Sequence, residues 1–183
     1  NEDIQQENAN KNPNIVSTMR DYMAGEVSKD ISQRYLIPSD IYDAHKEGII
    51  HFHDMDYFAM PIHNCCLINL DDMLQNGTII SGTQIDKPHT FSTACNIASQ
   101  IVAQVASSQY GGQTITASHL SKFIAPTREY FKKKYPTMTD EQIEELLTDD
   151  IKKGVQTLQY QILTLQTTNG QTPFVSVCLY LNE

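Results

Sequence analysis

The chain has 183 residues, of which 13 are basic and 22 acidic, giving a formal net charge of −9, and 40% of its residues are hydrophobic. This size allows one sizeable domain or part of a larger one, and the hydrophobic fraction argues against wholesale disorder. The acidic balance argues against direct nucleic-acid binding, which normally needs a basic patch. No apolar run is long enough to cross a membrane and the first residues lack a signal-peptide pattern, so we expect a soluble, cytoplasmic protein without membrane contact.

Four cysteines could in principle form disulfides, but their pattern favours free thiols. Cys65 and Cys66 are adjacent, which would strain a bond between them, and a chain of this length does not need disulfides for stability. The sequence has no Cys-x-x-Cys pair of the kind that a zinc ribbon uses. We therefore expect free thiols in a reducing compartment.

The first third of the chain is predicted to contain a leader, helices and a strand. Residues 1–12 are polar and predict a solvated leader or an interdomain linker. A helix is predicted to begin near Pro13, because proline is favoured in a first helical turn. A short helix over Ile41–Lys46 is predicted to end at Gly48 in a left-handed conformation, and residues 49–53 then predict a strand.

The middle of the chain predicts an extended stretch followed by a helix. The stretch lies near Cys65–Leu70 and is followed by a turn signal at residues 76–77. Ser92 or Thr93 is predicted to cap the helix, and the glycine pair at residues 111–112 is predicted to end it. This pair is too short a signal to predict a phosphate-binding loop.

The last third predicts two helices and a buried strand. The first helix runs over residues 117–135 and is expected to kink at Pro126. A capping box at Thr139 opens a long helix that ends near Thr167. Residues 174–181 then predict a buried strand, and the order of elements predicts an α/β fold with parallel strands joined by helical crossovers.

Histidines near the predicted strand at residues 49–53 raise the question of a metal site. His51 and His53 would point to the same face of a strand, and His63 follows nearby, so a small metal site is one interpretation. Hydrogen-bonded core histidines are the alternative, and we favour it. The favoured prediction is therefore that the chain binds no metal.

The helix that follows Ser92 has an unusual polar face. Residues such as Gln100 and Gln104 are uncommon on a helix that packs only against its own sheet. This face suits contact with another subunit or with a polar ligand, although most amphipathic helices simply pack on a core.

Four blocks of the sequence together resemble the anaerobic (class III) ribonucleoside-triphosphate reductase family. They read GIIHFHDMDY at residues 48–57, NCCLINLDDML at 64–74, IVAQVAS with YGG at 101–112, and TNGQTPFV at 168–175. The blocks occur in the family's order and cover the chain from about residue 13 to its end.

The resemblance implies a glycyl-radical enzyme that reduces ribonucleoside triphosphates to deoxyribonucleoside triphosphates for DNA synthesis. It implies a partial ten-stranded α/β barrel, with long helices that form a dimer interface. Residues 13–183 would be the first half of the catalytic barrel domain. The family's ATP cone and C-terminal radical domain have no counterpart in the sequence, and the chain does not begin with Met, so we expect an inactive fragment of a longer enzyme.

The resemblance also assigns candidate substrate residues. In the family, a cysteine on the first barrel strand delivers hydrogen to the ribose 2′ carbon, and this role falls on Cys65. Asn64 and His63 would then bind substrate, and Cys66 would point to the opposite side of the strand. We expect Cys65 to be buried, because burial keeps a thiol protonated.

A deoxynucleotide effector is implied at the dimer interface. The matching residues are Gln100, Lys132 and Lys133, with Asp86 and His89 as further candidates before the helix. An equally good interpretation of each lysine is a solvated helix end, which the helix dipole favours.

Cofactors and partners are implied for the full-length enzyme rather than for this fragment. They are a glycyl radical made by an S-adenosylmethionine iron–sulfur activating protein, formate as reductant, a structural zinc, a nucleoside triphosphate substrate and a second subunit in a homodimer. The alternative function is a non-catalytic nucleotide-sensing dimerisation module.

Overall fold

The computed structural model describes residues 16–165 and 173–179, and these residues form two compact units. The first unit comprises residues 16–63, and the second comprises the remaining described residues. Within the described ranges, no helix is long and apolar enough to cross a membrane. The predicted leader at residues 1–12 lies outside them.

The first unit consists mainly of helices. Helix α1 spans Val16–Ile31 and continues into a π-helical turn at Ser32–Leu36, while its predicted start near Pro13 lies outside the described residues. Helix α2 spans Ser39–Lys46, two residues longer than predicted at its start. Gly48 follows with a φ angle of +73°, which confirms the predicted left-handed end of this helix.

The predicted strand at residues 49–53 is wrong, because the end of α2 takes up its backbone donors. The Ile49 N–H donates to the Ala44 carbonyl at 2.9 Å. The Phe52 N–H donates to Nδ1 of His45 at 3.2 Å. These amides therefore cannot pair with a neighbouring strand, and the segment is an irregular turn.

The second unit is an α/β arrangement. In chain order its elements are β1 (Cys66–Leu67), α3 (Leu70–Asn76), β2 (Thr78–Ile80), β3 (Thr83–Ile85), α4 (Phe91–Ala106), β4 (Gln113–Thr116), α5 (Ala117–Ser121), α6 (Ile124–Lys134), α7 (Asp140–Thr164) and β5 (Val175–Cys178). Within the described residues, β1, β4 and β5 form a parallel sheet with β4 in the centre, and β2 and β3 form an antiparallel hairpin. The predicted parallel strands with helical crossovers are confirmed.

Helix α4 starts earlier and ends earlier than predicted. Its N-cap is Thr90, whose hydroxyl accepts the Thr93 N–H at 3.2 Å. Ser92 is not the cap, because its N–H and hydroxyl both donate to the Asp150 carboxylate of α7 at 3.0 and 2.5 Å. The helix ends at Ala106, well before the glycine pair.

The helix predicted over residues 117–135 is broken rather than kinked. It divides into α5 and α6 at Lys122 and Phe123. Pro126 lies in the first turn of α6, where its missing N–H costs no helical hydrogen bond.

The capping box predicted at Thr139 is confirmed, whereas the burial predicted for the last strand is wrong. The Thr139 hydroxyl accepts the Gln142 N–H at 3.3 Å, and the Gln142 side chain accepts the Thr139 N–H at 2.9 Å. The predicted end of this helix near Thr167 lies outside the described residues. Strand β5 is mostly exposed, because it lies at the edge of the described sheet. Residues 180–181 of the predicted strand also lie outside the described residues.

A buried hydrogen-bond relay joins α4 to α6. The Phe91 N–H, at the first position of α4, donates to the Thr127 hydroxyl at 2.7 Å, and that hydroxyl donates to the Phe123 carbonyl at 2.5 Å. Thr127 and Phe123 are both 0% exposed. The core lies around α4 and includes Leu70, Leu74, Ala94, Cys95, Ala98 and Val102.

Replacing Thr127 by valine should destabilise the chain. Thr127→Val keeps the shape of the side chain but leaves the buried Phe91 N–H without an acceptor, which costs about 1–3 kcal/mol. Urea unfolding followed by circular dichroism measures this loss.

Thr164→Val is the matched control, because the exposed Thr164 hydroxyl also donates to the carbonyl four residues earlier but accepts no backbone N–H from the described residues. It should change stability by no more than about 0.5 kcal/mol. Equal losses from both substitutions would show that the buried relay contributes nothing specific.

Candidate active site

The parallel sheet has one covered and one open face, and the strand register assigns side chains to them. One row, which lies on the core side, consists of Cys66, Gln113 and Val175. The next row, on the opposite face because side chains alternate along a strand, consists of Leu67, Thr114 and Ser176. Leu67 is 84% exposed, so this second face is open within the described residues.

Cys65 lies just before β1 and Cys66 is its first residue, and their thiols lie on opposite sides of the chain, as predicted. Cys66 is half-buried and packs against the core. Cys65 is exposed, and its thiol donates to Oδ1 of the neighbouring Asn64 at 3.3 Å. The prediction that Cys65 is buried is therefore wrong for the described residues, because nothing in them covers the open face of the sheet.

Burial instead affects the thiols on the core side. Burial raises the pKa of the Cys66 thiol, and the neighbouring Cys65 adds to this effect. Burial also raises the pKa of the fully enclosed Cys95 thiol to about 12, with a smaller contribution from the Asp150 carboxylate. Both thiols are therefore held in the protonated form at neutral pH.

The prediction that the glycine pair ends a helix is wrong, because Gly111 and Gly112 directly precede β4 and lie between the residues that precede β1 and β5. The Gly111 N–H donates to the Asn64 carbonyl at 2.8 Å. A Cβ atom on Gly111 would overlap Asn64 Oδ1 and would lie 2.8 Å from Cys65 Sγ. A Cβ on Gly112 would lie 2.8 Å from the Phe174 ring, next to β5. Only glycine fits this close approach on both sides.

Buried amides hold the glycine pair in place. Gln109 is 1% exposed, and its Nε2 donates to the Gly111 carbonyl at 3.0 Å. Gln113 is equally buried and donates to the Val102 carbonyl of α4 at 2.9 Å. The Cys66 N–H donates to the carbonyl of the second glycine at 3.1 Å. Sequence reasoning missed these glutamines, although the YGG block directly precedes Gln113.

The other predicted substrate residues are both exposed. Asn64 lies at the start of the second unit and contacts the glycine pair as described. His63 is the last residue of the first unit.

The histidines of the first unit do not support the alternative metal site. The rings of His45, His51 and His53 follow one another with centroids 5.6 and 5.7 Å apart. Nε2 of His53 lies 3.3 Å from a carboxylate oxygen of Asp54. Within the ranges that the structure describes, no three His, Cys, Asp or Glu side chains are arranged to hold a metal ion.

The predicted effector residues are all exposed and come from separate elements. Asp86 and His89 lie between β3 and α4, and Gln100 lies on α4. Lys132 and Lys133 lie in the last turn of α6, and Lys132 pairs with the Asp140 carboxylate at 3.0 Å.

A single chain does not bring Gln100 and Lys132 together. Ser99, beside Gln100, hydrogen-bonds to Gln161 of α7. Lys132 contacts Asp140 at the other end of the same helix. These two points on α7 are roughly 32 Å apart at the α-helical rise of about 1.5 Å per residue.

Comparison with known proteins places this geometry in a family. Residues 7–183 match the sequence profile of the anaerobic ribonucleoside-triphosphate reductases. The chain is 41% identical to the anaerobic ribonucleoside-triphosphate reductase of Enterobacteria phage T4, over 97% of this chain and 30% of that protein. It is 39% identical to the enzyme of that name from Salmonella typhimurium, over 93% of this chain and 25% of that protein.

A solved structure shows the same fold at lower sequence identity. The anaerobic ribonucleotide reductase from Thermotoga maritima, in complex with dATP and CTP, superposes with a TM-score of 0.63. The match covers 89% of this chain and 28% of that one, with 14% identity. The mixed α/β fold of this class is thus confirmed.

The chain belongs to the anaerobic ribonucleoside-triphosphate reductase family. It spans less than a third of the length of the relatives that it matches.

Timed alkylation should rank the four thiols by their exposure and pKa. Cys65 and Cys178 are exposed and should react first with iodoacetamide, followed by the half-buried Cys66. Cys95 should react only after unfolding, because a buried thiol with a raised pKa has almost no thiolate at about pH 8. Fragment-ion mass spectrometry assigns each site. Labelling of Cys95 in the native chain at the rate of Cys178 would contradict the core described above.

Proposed function

We propose that this chain is the first part of the catalytic barrel of an anaerobic ribonucleoside-triphosphate reductase. The enzyme reduces ribonucleoside triphosphates to deoxyribonucleoside triphosphates by thiyl and glycyl radical chemistry. The observation that carries this proposal is the Asn64–Cys65 step beside the parallel sheet, in a chain of this family. The open sheet face beyond Leu67 becomes the interior of the proposed ten-stranded barrel.

Cys65 is proposed as the hydrogen donor to the substrate. A hydrogen atom moves from its sulfur to the radical at the ribose 2′ carbon, so that one S–H bond breaks, one C–H bond forms and a sulfur radical remains. The resting thiol already carries this hydrogen, directed toward the Asn64 amide oxygen. Asn64 and His63 are proposed substrate contacts.

The remaining parts of the reaction are assigned to the full-length enzyme. An activating S-adenosylmethionine iron–sulfur protein supplies the glycyl radical, formate is the final reductant, and zinc has a structural role elsewhere in the enzyme. The proposed location is the cytoplasm.

Cys65→Ser in the enzyme that contains this chain should abolish deoxynucleotide formation, because a serine O–H does not give up its hydrogen atom to a carbon radical. Electron paramagnetic resonance should still detect the glycyl radical, whose formation depends on other residues. Product is measured by chromatography.

Cys66→Ser is the matched control, because this thiol packs on the core side of the same strand. It should retain most of the activity. Full activity of the Cys65→Ser enzyme would refute the donor role and would favour the nucleotide-sensing dimerisation module.

Nucleotide control is proposed to operate across a homodimer. The α7 residues that contact Ser99, beside Gln100, and Lys132 lie roughly 32 Å apart in one chain, too far for a single deoxynucleoside triphosphate to reach from one to the other. If both side chains contact one effector, they must come from different subunits. The exposed polar face of α4 supports such an interface, and Lys133, Asp86 and His89 are further proposed contacts.

Mixing two variants tests this arrangement. Gln100→Ala and Lys132→Ala homodimers should each bind deoxynucleotides weakly. In a heterodimer of the two variants, one site carries both substitutions and the other carries none, so calorimetry should detect one site of normal affinity per dimer.

The outcome of the mixing separates the two geometries. Failure of the mixed sample to recover any tight site, in dimers shown to exchange subunits, would place both residues in one subunit's site or outside it. Salt should weaken binding, because it screens the contacts to phosphate.

A further inference from the structure

Asn64 and Cys65 lie so close to Gly111 that they leave no space for a side chain there. The Gly111 N–H holds the Asn64 carbonyl at 2.8 Å, while Asn64 Oδ1 accepts the Cys65 thiol at 3.3 Å. A Cβ on Gly111 would overlap that Oδ1 and would lie only 2.5 Å from the Asn64 carbonyl oxygen. Real Cβ atoms essentially never approach other heavy atoms so closely, so any side chain at this position must displace Asn64.

The crowding is a matter of space rather than of backbone conformation. Gly111 is not among the residues with positive φ, unlike Gly77 and Gly82 in the segment around the β2–β3 hairpin. Its backbone could therefore accept a side chain if there were room. The buried Gln109 fixes the position of the Gly111 carbonyl, so the glycine cannot easily retreat from Asn64.

We propose that Gly111 is a positioning residue for Cys65: its missing side chain lets the Asn64 amide oxygen hold the Cys65 S–H bond in one direction. This inference rests on the proposed role of Cys65 as hydrogen donor. Gly111 acts through Asn64 and touches no substrate itself.

The reactivity of Cys65 in the intact 183-residue chain tests this role without turnover. The measured quantity is the iodoacetamide rate of Cys65 divided by that of Cys178, an exposed thiol in the same molecule. Asn64→Ala should raise this ratio about two- to fivefold, the lower part of the range for one net hydrogen bond, because a thiol is a weak donor. Gly111→Ala should raise it by a similar factor, because the added methyl displaces the amide oxygen from the thiol.

A double variant shows whether the glycine acts through Asn64. If it does, the double variant Asn64→Ala/Gly111→Ala should show a ratio close to that of either single variant, since the acceptor can be lost only once. Multiplying effects would mean that the added methyl acts on the thiol directly, through its 2.8 Å approach to Cys65 Sγ, and that would overturn the proposal.

Gly154→Ala is the control for a merely structural effect. Its added Cβ would lie 2.8 Å from the Phe91 ring between α4 and α7, in a contact that does not involve Cys65. It should lower the melting temperature while leaving the Cys65 to Cys178 ratio unchanged. A change in that ratio as large as the one from Gly111→Ala would also overturn the proposal.

The buried Cys95 reports folding in every sample. A variant counts as folded when Cys95 remains unlabelled. If Gly111→Ala does not fold, an unchanged ratio in the Asn64→Ala chain would still overturn the proposal, because it would show that Asn64 does not hold the thiol.

The result is distinguishable from a failure of the proposed function. An unchanged ratio in the Gly111→Ala chain refutes the positioning role of Gly111. It does not affect the donor role of Cys65, which an inactive Cys65→Ser enzyme would still support. An active Cys65→Ser enzyme refutes the donor role even if the ratio changes as expected.

Discussion

The arrangement of the parallel sheet depends on close packing where its central strand begins. Strand β4 is flanked by β1 and β5, and the residues just before it must pass between Asn64 on one side and Phe174 on the other. Two successive glycines make this passage possible, because a Cβ on either would collide with a neighbour. The sheet register follows from this close packing, because the backbone N–H of Cys66 donates to the Gly112 carbonyl and that of Gln113 donates to the Phe174 carbonyl.

The helices are tied to this sheet by polar contacts as well as by apolar packing. The start of α4 is held from two directions, by the Thr127 hydroxyl of α6 and by the Asp150 carboxylate of α7. Each contact satisfies a backbone or hydroxyl donor that the helix cannot satisfy internally. These contacts explain why the N-cap is Thr90, two residues before Ser92, the first capping residue that the sequence predicted.

Local signals predicted part of this fold, and long-range contacts decided the rest. The capping box at Thr139 and the end of α2 at Gly48 were predictable because their partners lie within a few residues. The strand predicted at residues 49–53 failed because its donors bond back to α2. The glycine pair was misread because its neighbours, Asn64 and Phe174, are each about 50 residues away or more. Cys65 itself was found only through the family resemblance, since no spacing rule distinguishes it from Cys66.

Helix α4 is linked to the glycine pair through Gln113, the residue that follows Gly112. Asp150 and Gly154 of α7 contact the first two residues of α4, and Gln161 contacts α4 farther along at Asn96 and Ser99, so the two helices are joined at two levels. Near its other end, α4 is fastened to β4 by the bond from Gln113 to the Val102 carbonyl. Because the backbone of Gly112 and Gln113 pairs with Cys66, the residue next to Cys65, the position of α4 is linked to that of the Cys65 thiol through one side-chain bond and one strand pair.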